Sequence, residues 1–277
     1  MTEKPTQREY WNSQVGDEWV RNADAIDAML ARLTQPAFDT LKLEPGERVL
    51  DIGCGAGATT LKAAELVGAN GRAVGVDISR PLLECARERA QGRSNVAFIE
   101  ADAGAGPVPG APFDAAFSRF GMMFFEEPAA AFASVRRALA DDGRLVFVSW
   151  RPFAENLWTA RPLAALAPLL KEPLTPADPN APGPFALSDA DKVRRILDDA
   201  GWRDVTVAPW DGPVVIGADA REAAAYLVKI GPCARAINEQ SLDAVEAERL
   251  LFEFLAKHEG PEGVALPAAC WIVRAEA

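Results

Sequence analysis

The chain has 277 residues, 49% of them hydrophobic and 25% charged, and a formal net charge of −11. Such a length and composition supply a sizeable core for one large α/β domain, alone or with a cap. The acidic balance repels phosphate backbones and argues against nucleic acid as a partner, while leaving a small neutral or cationic substrate open.

Residues 1–10 are polar and lack the apolar centre of a signal peptide. Residues 10–43 read as helical, because Trp19, Ile26, Met29, Leu30 and Leu33 recur at roughly helical spacing. Pro36 is expected to interrupt or restart that pattern. Glu44-Pro45-Gly46-Glu47 is a turn, after which strands and helices alternate. Residues 48–52 read as strand, 59–67 as helix, 73–76 as strand, and 81–90 as a helix capped by Ser79. A third strand covers 95–99 and a fourth 113–117, and the Gly- and Pro-rich link over 102–112 is expected to hold little helix. A helix over 129–139 is entered through Pro128, and Asp141-Asp142-Gly143 turns into a fifth strand over 144–150. This βαβα order implies a mostly parallel sheet covered on both faces.

The composition shifts after Trp150. Residues 152–184 carry eight prolines and no clear strand, which reads as a covering loop with short helices. A helix over 188–199 follows with Ser188 as its cap, and 205–209 and 269–273 read as the last two strands. Between them lies a long helical insertion, in which 221–229 and 242–257 have amphipathic spacing. No apolar run approaches the ~20 residues needed to span a bilayer. The whole chain, 1–277, reads as one domain: a helical cap over 1–43, a ligand-binding core over 44–150, and the remaining strands, lid loop and helical insertion over 151–277.

The chemistry concentrates in Val49-Leu50-Asp51-Ile52-Gly53-Cys54-Gly55-Ala56-Gly57. An apolar strand runs into three glycines spaced two apart, and a helix follows. Glycine admits unusual backbone angles and lets a ligand approach the main chain. Strand, turn and helix N-terminus together make a nucleotide site. The second strand ends in Asp77-Ile78, where a carboxylate can accept from both ribose hydroxyls; capping the next helix is its plainer use. The third ends in Asp102-Ala103, beside Asp77 in a parallel sheet, where an acid can accept from the exocyclic amine of adenine. A solvated loop carboxylate is the plainer reading there. Dinucleotides and the sulfonium nucleoside S-adenosylmethionine compete for such a turn, and Asp51 and Asp102 favour the second.

Asp51-x-Gly53-x-Gly55-x-Gly57, then Asp77, then Asp102-Ala103, resemble the signature of class I S-adenosylmethionine-dependent methyltransferases. The likeness continues through residues 113–118 and 139–146, covers about 48–150 well, and extends more loosely to the last two strands. Ser118-Arg119-Phe120-Gly121-Met122-Met123-Phe124-Phe125 looks like the fourth-strand exit of a bacterial small-molecule branch related to ubiquinone/menaquinone-biosynthesis methyltransferases. The resemblance implies a Rossmann-like, seven-stranded, mostly parallel α/β sheet with helices on both faces. Its last strand, near Trp271, would run antiparallel between the fifth and sixth. It also implies S-adenosylmethionine as cofactor. Gly53, Cys54 and Gly55 would form the cofactor-binding turn, the two glycines passing under the methionine and ribose; set between glycines, the Cys54 side chain itself is expected to point into the sheet–helix packing. Asp51 would order the methionine amino group through water. Asp77 would hold the ribose, Ile78 would pack on adenine, Asp102 and Ala103 would read the adenine edge, and Ser118 would lie near the transferred methyl. The Asn-Pro-Pro-Tyr type motif of base- and glutamine-directed enzymes is absent, which weakens the case for amino methylation of DNA or protein; the resemblance to the quinone-biosynthesis branch implies a small-molecule acceptor.

Aromatic residues extend the candidate list. Trp11 and Trp19 lie in the segment expected to fold over the cofactor. Phe120, Met123, Trp150 and Trp158 are candidates to hold the substrate, since an aromatic face attracts a sulfonium cation or stacks on a planar acceptor. Core packing is the commoner use of such side chains. No residue is assigned as catalytic base. His258, the only histidine, ends an amphipathic stretch where a cation suits the helix dipole. The four cysteines, Cys54, Cys85, Cys233 and Cys270, form no CxxC pair, so no metal is expected and the thiols read as reduced in a cytoplasmic protein. The reading is methyl transfer to an O, N or C nucleophile, with much of the rate coming from alignment. The alternatives are an NAD(P)-dependent oxidoreductase, in which Ala58 would replace the third glycine, and a catalytically silent S-adenosylmethionine-binding module.

Overall fold

A computed structural model describes residues 5–174, 178 and 180–277. Three helices, α1 (Gln7–Trp11), α2 (Gln14–Arg21) and α3 (Ala23–Leu41), precede the sheet. Then β1 (Arg48–Ile52), α4 (Ala58–Val67), β2 (Arg72–Asp77), α5 (Arg80–Arg89), β3 (Val96–Glu100), β4 (Phe113–Arg119), α6 (Pro128–Arg137) and β5 (Leu139–Trp150) follow in order. Helices α7 (Leu157–Ala165) and α8 (Ala190–Asp199) lead to β6 (Arg203–Gly217). Helices α9 (Ala220–Leu227), α10 (Gly231–Gln240) and α11 (Ala244–Leu255) lead to β7 (Glu259–Gly260) and β8 (Gly263–Glu276). No helix among the described residues is long and apolar enough to cross a membrane.

The strands lie in the order β3-β2-β1-β4-β5-β8-β6, with β7 paired to β8 alone. The first five are parallel, and β8 runs antiparallel between β5 and β6. The central strands are apolar because both faces are covered. Val49, Leu50, Ala115, Ala116, Phe117, Leu145 and Val146 are all fully buried. Crossovers from β1 through α4 and α5 move one way along the sheet, and the α6 crossover moves the other. Right-handed connections therefore put these helices on opposite faces. The reversal between β1 and β4 opens a crevice at the carboxyl ends of the strands. This is the expected Rossmann-like architecture, with the two-residue β7 as an eighth strand beyond the expected seven.

Several local expectations are corrected. Pro36 lies inside α3 rather than ending it. The helix is held by packing through Ala37, Phe38 and Leu41, and by Arg274 and Arg144 donating to the Thr40 and Leu41 carbonyls. Asp189, not Ser188, caps α8, accepting from the Asp191 and Lys192 N–H groups. Ser79 does occupy the N-cap of α5, with its carbonyl accepting from the Leu83 N–H, but its hydroxyl makes no capping bond and donates to the Trp11 carbonyl at 2.9 Å. Asp141-Asp142-Gly143 lies within β5, whose pairing with β4 shifts register between Phe113 and Ala115. The insertion also contains a third helix, α10, which its sequence pattern did not single out.

The last two strands are much longer than expected. They form a ribbon paired from Arg203↔Glu276 to Gly217↔Val264. Its partner β5 ends at Trp150↔Cys270, so the ribbon continues past the carboxyl ends of the parallel strands. Pro209 and Pro213 are tolerated because β6 is an edge strand, where a missing N–H need not break a ladder on both sides. The projecting ribbon carries α9, α10 and α11 out over the crevice.

Candidate functional site

The glycine turn after β1 is shaped by backbone demands that a side chain would break. Gly53 has φ 65°, and a Cβ there would come within 2.7 Å of the Gly121 Cα. Gly55 has φ 53°, and a Cβ there would meet no protein atom within 4 Å. The first glycine thus lets β1 and β4 approach, and the second leaves bare backbone beside open space. The N–H groups of Gly53 and Cys54 both donate to the Val76 carbonyl, tying the turn to β2.

At the end of β2 the two Asp77 oxygens accept from different loops. Oδ2 takes the Gly55 N–H and Oδ1 the Ser79 N–H, each at 2.8 Å. Burial raises the Asp77 pKa while these N–H groups work against that rise. Asp102 Oδ1 accepts from the Gly104 N–H at 2.8 Å, holding the turn after β3. Gly53, Cys54, Gly55, Asp77, Ile78, Asp102 and Ala103 all line one cavity of about 730 Å³.

The N-terminal helices close one side of that cavity. A capping box starts α1, with Thr6 accepting from the Glu9 N–H and Glu9 accepting from the Thr6 N–H. Asn12 then latches the segment to the core, donating to the Ile78 carbonyl and accepting from the Arg80 N–H. Trp11 and Trp19 line the cavity and pack edge-on, with centroids 5.1 Å apart, and Trp11 meets Phe124 in the same way. An aromatic wall forms another part of the lining. Phe120 stacks on Trp150 at 4.1 Å, and Trp150 leans on Trp158 at 5.1 Å. Phe120 has φ 63°, a left-handed backbone that is costly for a bulky residue and that sets its ring at the strand exit. Met123 lines the cavity beside this wall.

Two residues expected at or near the cofactor are set back from the cavity wall. Asp51 and Ser118 do not line the cavity. Asp51 is buried beneath it, with Oδ2 accepting from the Thr59 and Thr60 hydroxyls and Oδ1 without a protein partner. Burial pushes its pKa up to about 6. Ser118 is fully buried and donates to the Ile52 carbonyl at 2.8 Å, pinning β4 to β1. Both positions shape the turn from below, because side chains alternate along a strand and these two face the packing. Cys54 packs its sulfur where a Cβ on Gly75 would stand, and burial raises its thiol well above the ordinary value. His258 does not line the cavity, and its Nδ1 lies 3.0 Å from the Phe254 carbonyl. Among the described residues no group of three or more His, Cys, Asp or Glu could hold a metal ion.

Other cavity-lining residues escaped the sequence reading. Gln7 and Arg8 come from α1, Thr159 from α7, Tyr226 from α9, and Ile230 from the start of α10. Tyr226 sits in an amphipathic helix whose pattern marks burial, not which buried residue meets a cavity.

Residues 43–201 match the family model described as "Methyltransferase domain". The chain is 38% identical over 106 residues to the aklanonic acid methyltransferase DauC of Streptomyces sp. (strain C5), covering 38% of this chain and 48% of that protein, under half its length. It is 31% identical over 189 residues to the ubiquinone/menaquinone biosynthesis C-methyltransferase UbiE of Yersinia enterocolitica serotype O:8 / biotype 1B, covering 64% of this chain and 75% of that protein. Among solved structures it is similar to Haemonchus contortus phosphoethanolamine N-methyltransferase 2 in complex with S-adenosyl-L-methionine. That likeness has a TM-score of 0.61 at 15% identity, covers 98% of this chain and 60% of that chain, and concerns the fold.

Proposed function

Because the chain belongs to the methyltransferase-domain family that its residues 43–201 match, we propose that it methylates a flat, apolar small molecule held against Phe120, Trp150 and Trp158. The protein is an S-adenosylmethionine-dependent methyltransferase acting on a small molecule, and S-adenosylmethionine is its cofactor. The two alternatives, a nicotinamide-dependent oxidoreductase and a silent binding module, find no support among the relatives.

The observation that carries the site assignment is Asp77. Its carboxylate stands on the cavity wall at the tip of β2, held from both sides by backbone N–H groups. Lone pairs that remain free can accept from a pair of vicinal hydroxyls. The bare backbone of Gly55 beside it lets a nucleoside approach where a Cβ would stand in open space. About 730 Å³ is ample for a nucleoside with an acceptor alongside. These residues fit the cofactor: Asp77 at the ribose, Ile78 and Ala103 against adenine, and Asp102 at its edge. The cofactor supplies an activated methyl group on a sulfonium. The chain's part is to orient and to exclude water. Trp11 and Trp19 close over the adenosyl end, and the aromatic wall aligns the acceptor. The names of the relatives, from quinone biosynthesis and aklanonic acid methylation, support a small aromatic acceptor for this chain.

The strands of the last third complete the sheet that β1 begins, which supports reading all 277 residues as one methyltransferase domain. Four free cysteines support a reducing, cytoplasmic setting, and the net charge of −11 supports the absence of nucleic-acid partners.

Calorimetric titration with S-adenosylmethionine, S-adenosylhomocysteine and NADH tests the site, with binding of the first two expected and none of the third. Methyl-labelled cofactor incubated with phenols, quinols, amines and thiols tests the chemistry. NADH binding alone, or label that never leaves a bound cofactor, would overturn the reading.

A further inference from the structure

Asp77 and Asp102 place the nucleoside over the tips of β2 and β3. The crevice continues across β1 to β4, the next strand in the sheet, and the amino-acid end of the cofactor runs that way. Asp51, the acid expected to serve that end, is closed off beneath the turn and does not line the cavity. Another acid does line it, Asp27 on α3, and with it Arg119 at the end of β4.

The position of Arg119 follows from strand register. Asp51 is level with Phe117, so β4 leaves the sheet beside the glycine turn, where a Cβ on Gly53 would meet Gly121. The guanidinium reaches α3, donating from Nη2 to Asp27 Oδ1 at 2.5 Å and from Nη1 to the Thr34 hydroxyl at 3.1 Å. Asp27 Oδ2 accepts from Arg89 Nη1 at 2.9 Å, and the same nitrogen donates to the Ala56 carbonyl of the turn at 3.2 Å. Arg89 also pairs with Asp24. Two acids and two arginines thus form one network, neutral overall, that ties α3 to the turn and to the exit of β4. Burial raises the Asp51 carboxyl, and the charge on Arg119 is among the groups that oppose this rise, as its place beside the turn requires. The Arg119 and Asp27 side chains are 12% and 25% exposed, so neither is sealed from the cavity they line. The other arginine on the lining, Arg8, pairs with Glu100, the last residue of β3.

We propose that Arg119 and Asp27 form the subsite for the amino-acid end of the cofactor, with Arg119 receiving the carboxylate and Asp27 the ammonium. The proposal rests on the methyltransferase reading above. A zwitterion presents both signs of charge on one carbon and fits an ion pair laid against it in the opposite sense. A guanidinium has more N–H groups than its bonds to Asp27 and Thr34 engage, and its planar fork suits a carboxylate. Lone pairs of Asp27 beyond its two arginine bonds accept from the ammonium. Because the network and the zwitterion are each neutral, their union buries no net charge. A nucleoside lacking the carboxylate leaves Arg119 without its ligand partner and brings an unmatched cation beside it. The pair therefore selects a cofactor whose amino-acid end is intact. Held by Asp77 at the ribose and by Arg119 at the carboxylate, the sulfur between them is fixed in place.

The test is calorimetric titration with S-adenosylhomocysteine, its decarboxylated analogue, and methylthioadenosine, which lacks both charges. The wild type should bind S-adenosylhomocysteine at least about tenfold more tightly than either of the others. Arg119→Gln should weaken S-adenosylhomocysteine about tenfold and bind the other two no less tightly than the wild type does. Asp27→Asn should weaken the two amine-bearing ligands and spare methylthioadenosine. Arg119→Lys keeps the charge and should retain the wild-type order of affinities, a comparison that stands even if Arg119→Gln does not fold. Equal wild-type affinity for S-adenosylhomocysteine and its decarboxylated analogue overturns the proposal. So does an Arg119→Gln variant that loses nothing or loses all three ligands alike, the pattern of a merely structural residue. A wild type that binds none of the three defeats the cofactor site itself, whereas one that binds all three without preference leaves that site standing and removes only this subsite.

Discussion

Asp77 and Asp51 are acids at the ends of neighbouring parallel strands, yet their surroundings give them different work. Asp77 reaches the cavity with both oxygens steadied by N–H groups, so it is set to bind. Asp77→Ala should weaken S-adenosylmethionine binding by about 1.5–3 kcal/mol, the cost of losing hydrogen bonds to a charged group; calorimetry checks this, and unchanged affinity would show the ribose lies elsewhere. Asp51 is closed off, with one oxygen between two threonine hydroxyls and the other bare. Its pKa rises from 3.8 to about 6, with burial as the largest cause. A raised carboxyl favours the folded state while protonated, so that contribution is complete below about pH 4 and is lost as pH rises toward 6. Asp51→Asn should remove this dependence. Urea midpoints of the wild type should fall between pH 4 and pH 6 relative to the variant, by the equivalent of about 2–3 kcal/mol. Parallel profiles would show that Asp51 does not titrate there.

Elements end and extend for reasons that local sequence carries unevenly. Helix α8 follows Ser188-Asp189, two good capping residues in a row, and only geometry chooses between them. Asp189 accepts from two N–H groups of the first turn. Asp189→Ala should cost about 1 kcal/mol in urea denaturation, and Ser188→Ala should stay within about 0.5 kcal/mol. Pro36 shows the opposite case, a strong local signal overridden because α3 is anchored on both sides of it by buried side chains and side-chain-to-carbonyl bonds. Strands β6 and β8 run long through Pro209, Gly212 and Pro213, residues that read as breakers. Each strand lends the other its ladder, and that mutual pairing is invisible to a window on either one.

At the scale of the whole molecule, the cavity joins two covers that lie far apart in the chain. Trp11 and Trp19 come from its first helices, and Tyr226 and Ile230 from the insertion near its end. The first cover is held to the core by Asn12 and by the Ser79 hydroxyl, bonds that can open without disturbing the sheet. Hydrogen exchange should therefore be fast in α1 and α2 and slowest in β1, β4 and β5. Adding S-adenosylhomocysteine should slow exchange in α1 and α2, and adding an acceptor should slow it further in α9 and α10. Protection confined to one cover with both ligands present would mean that the two do not share a site.

The amino-acid order alone determined the parallel core, the glycine turn, and the acids at the tips of β2 and β3. Those are local signals: an apolar run, a backbone angle that glycine permits, a charge at a strand end. The same order could not tell that Asp51 and Ser118 face the packing beneath the site, because a one-residue difference in strand phase turns a side chain to the other face. Nor could it find Tyr226, Thr159 or the latch at Asn12. Their neighbours are distant in the chain, and only the folded ribbon and the insertion it carries bring them to one cavity.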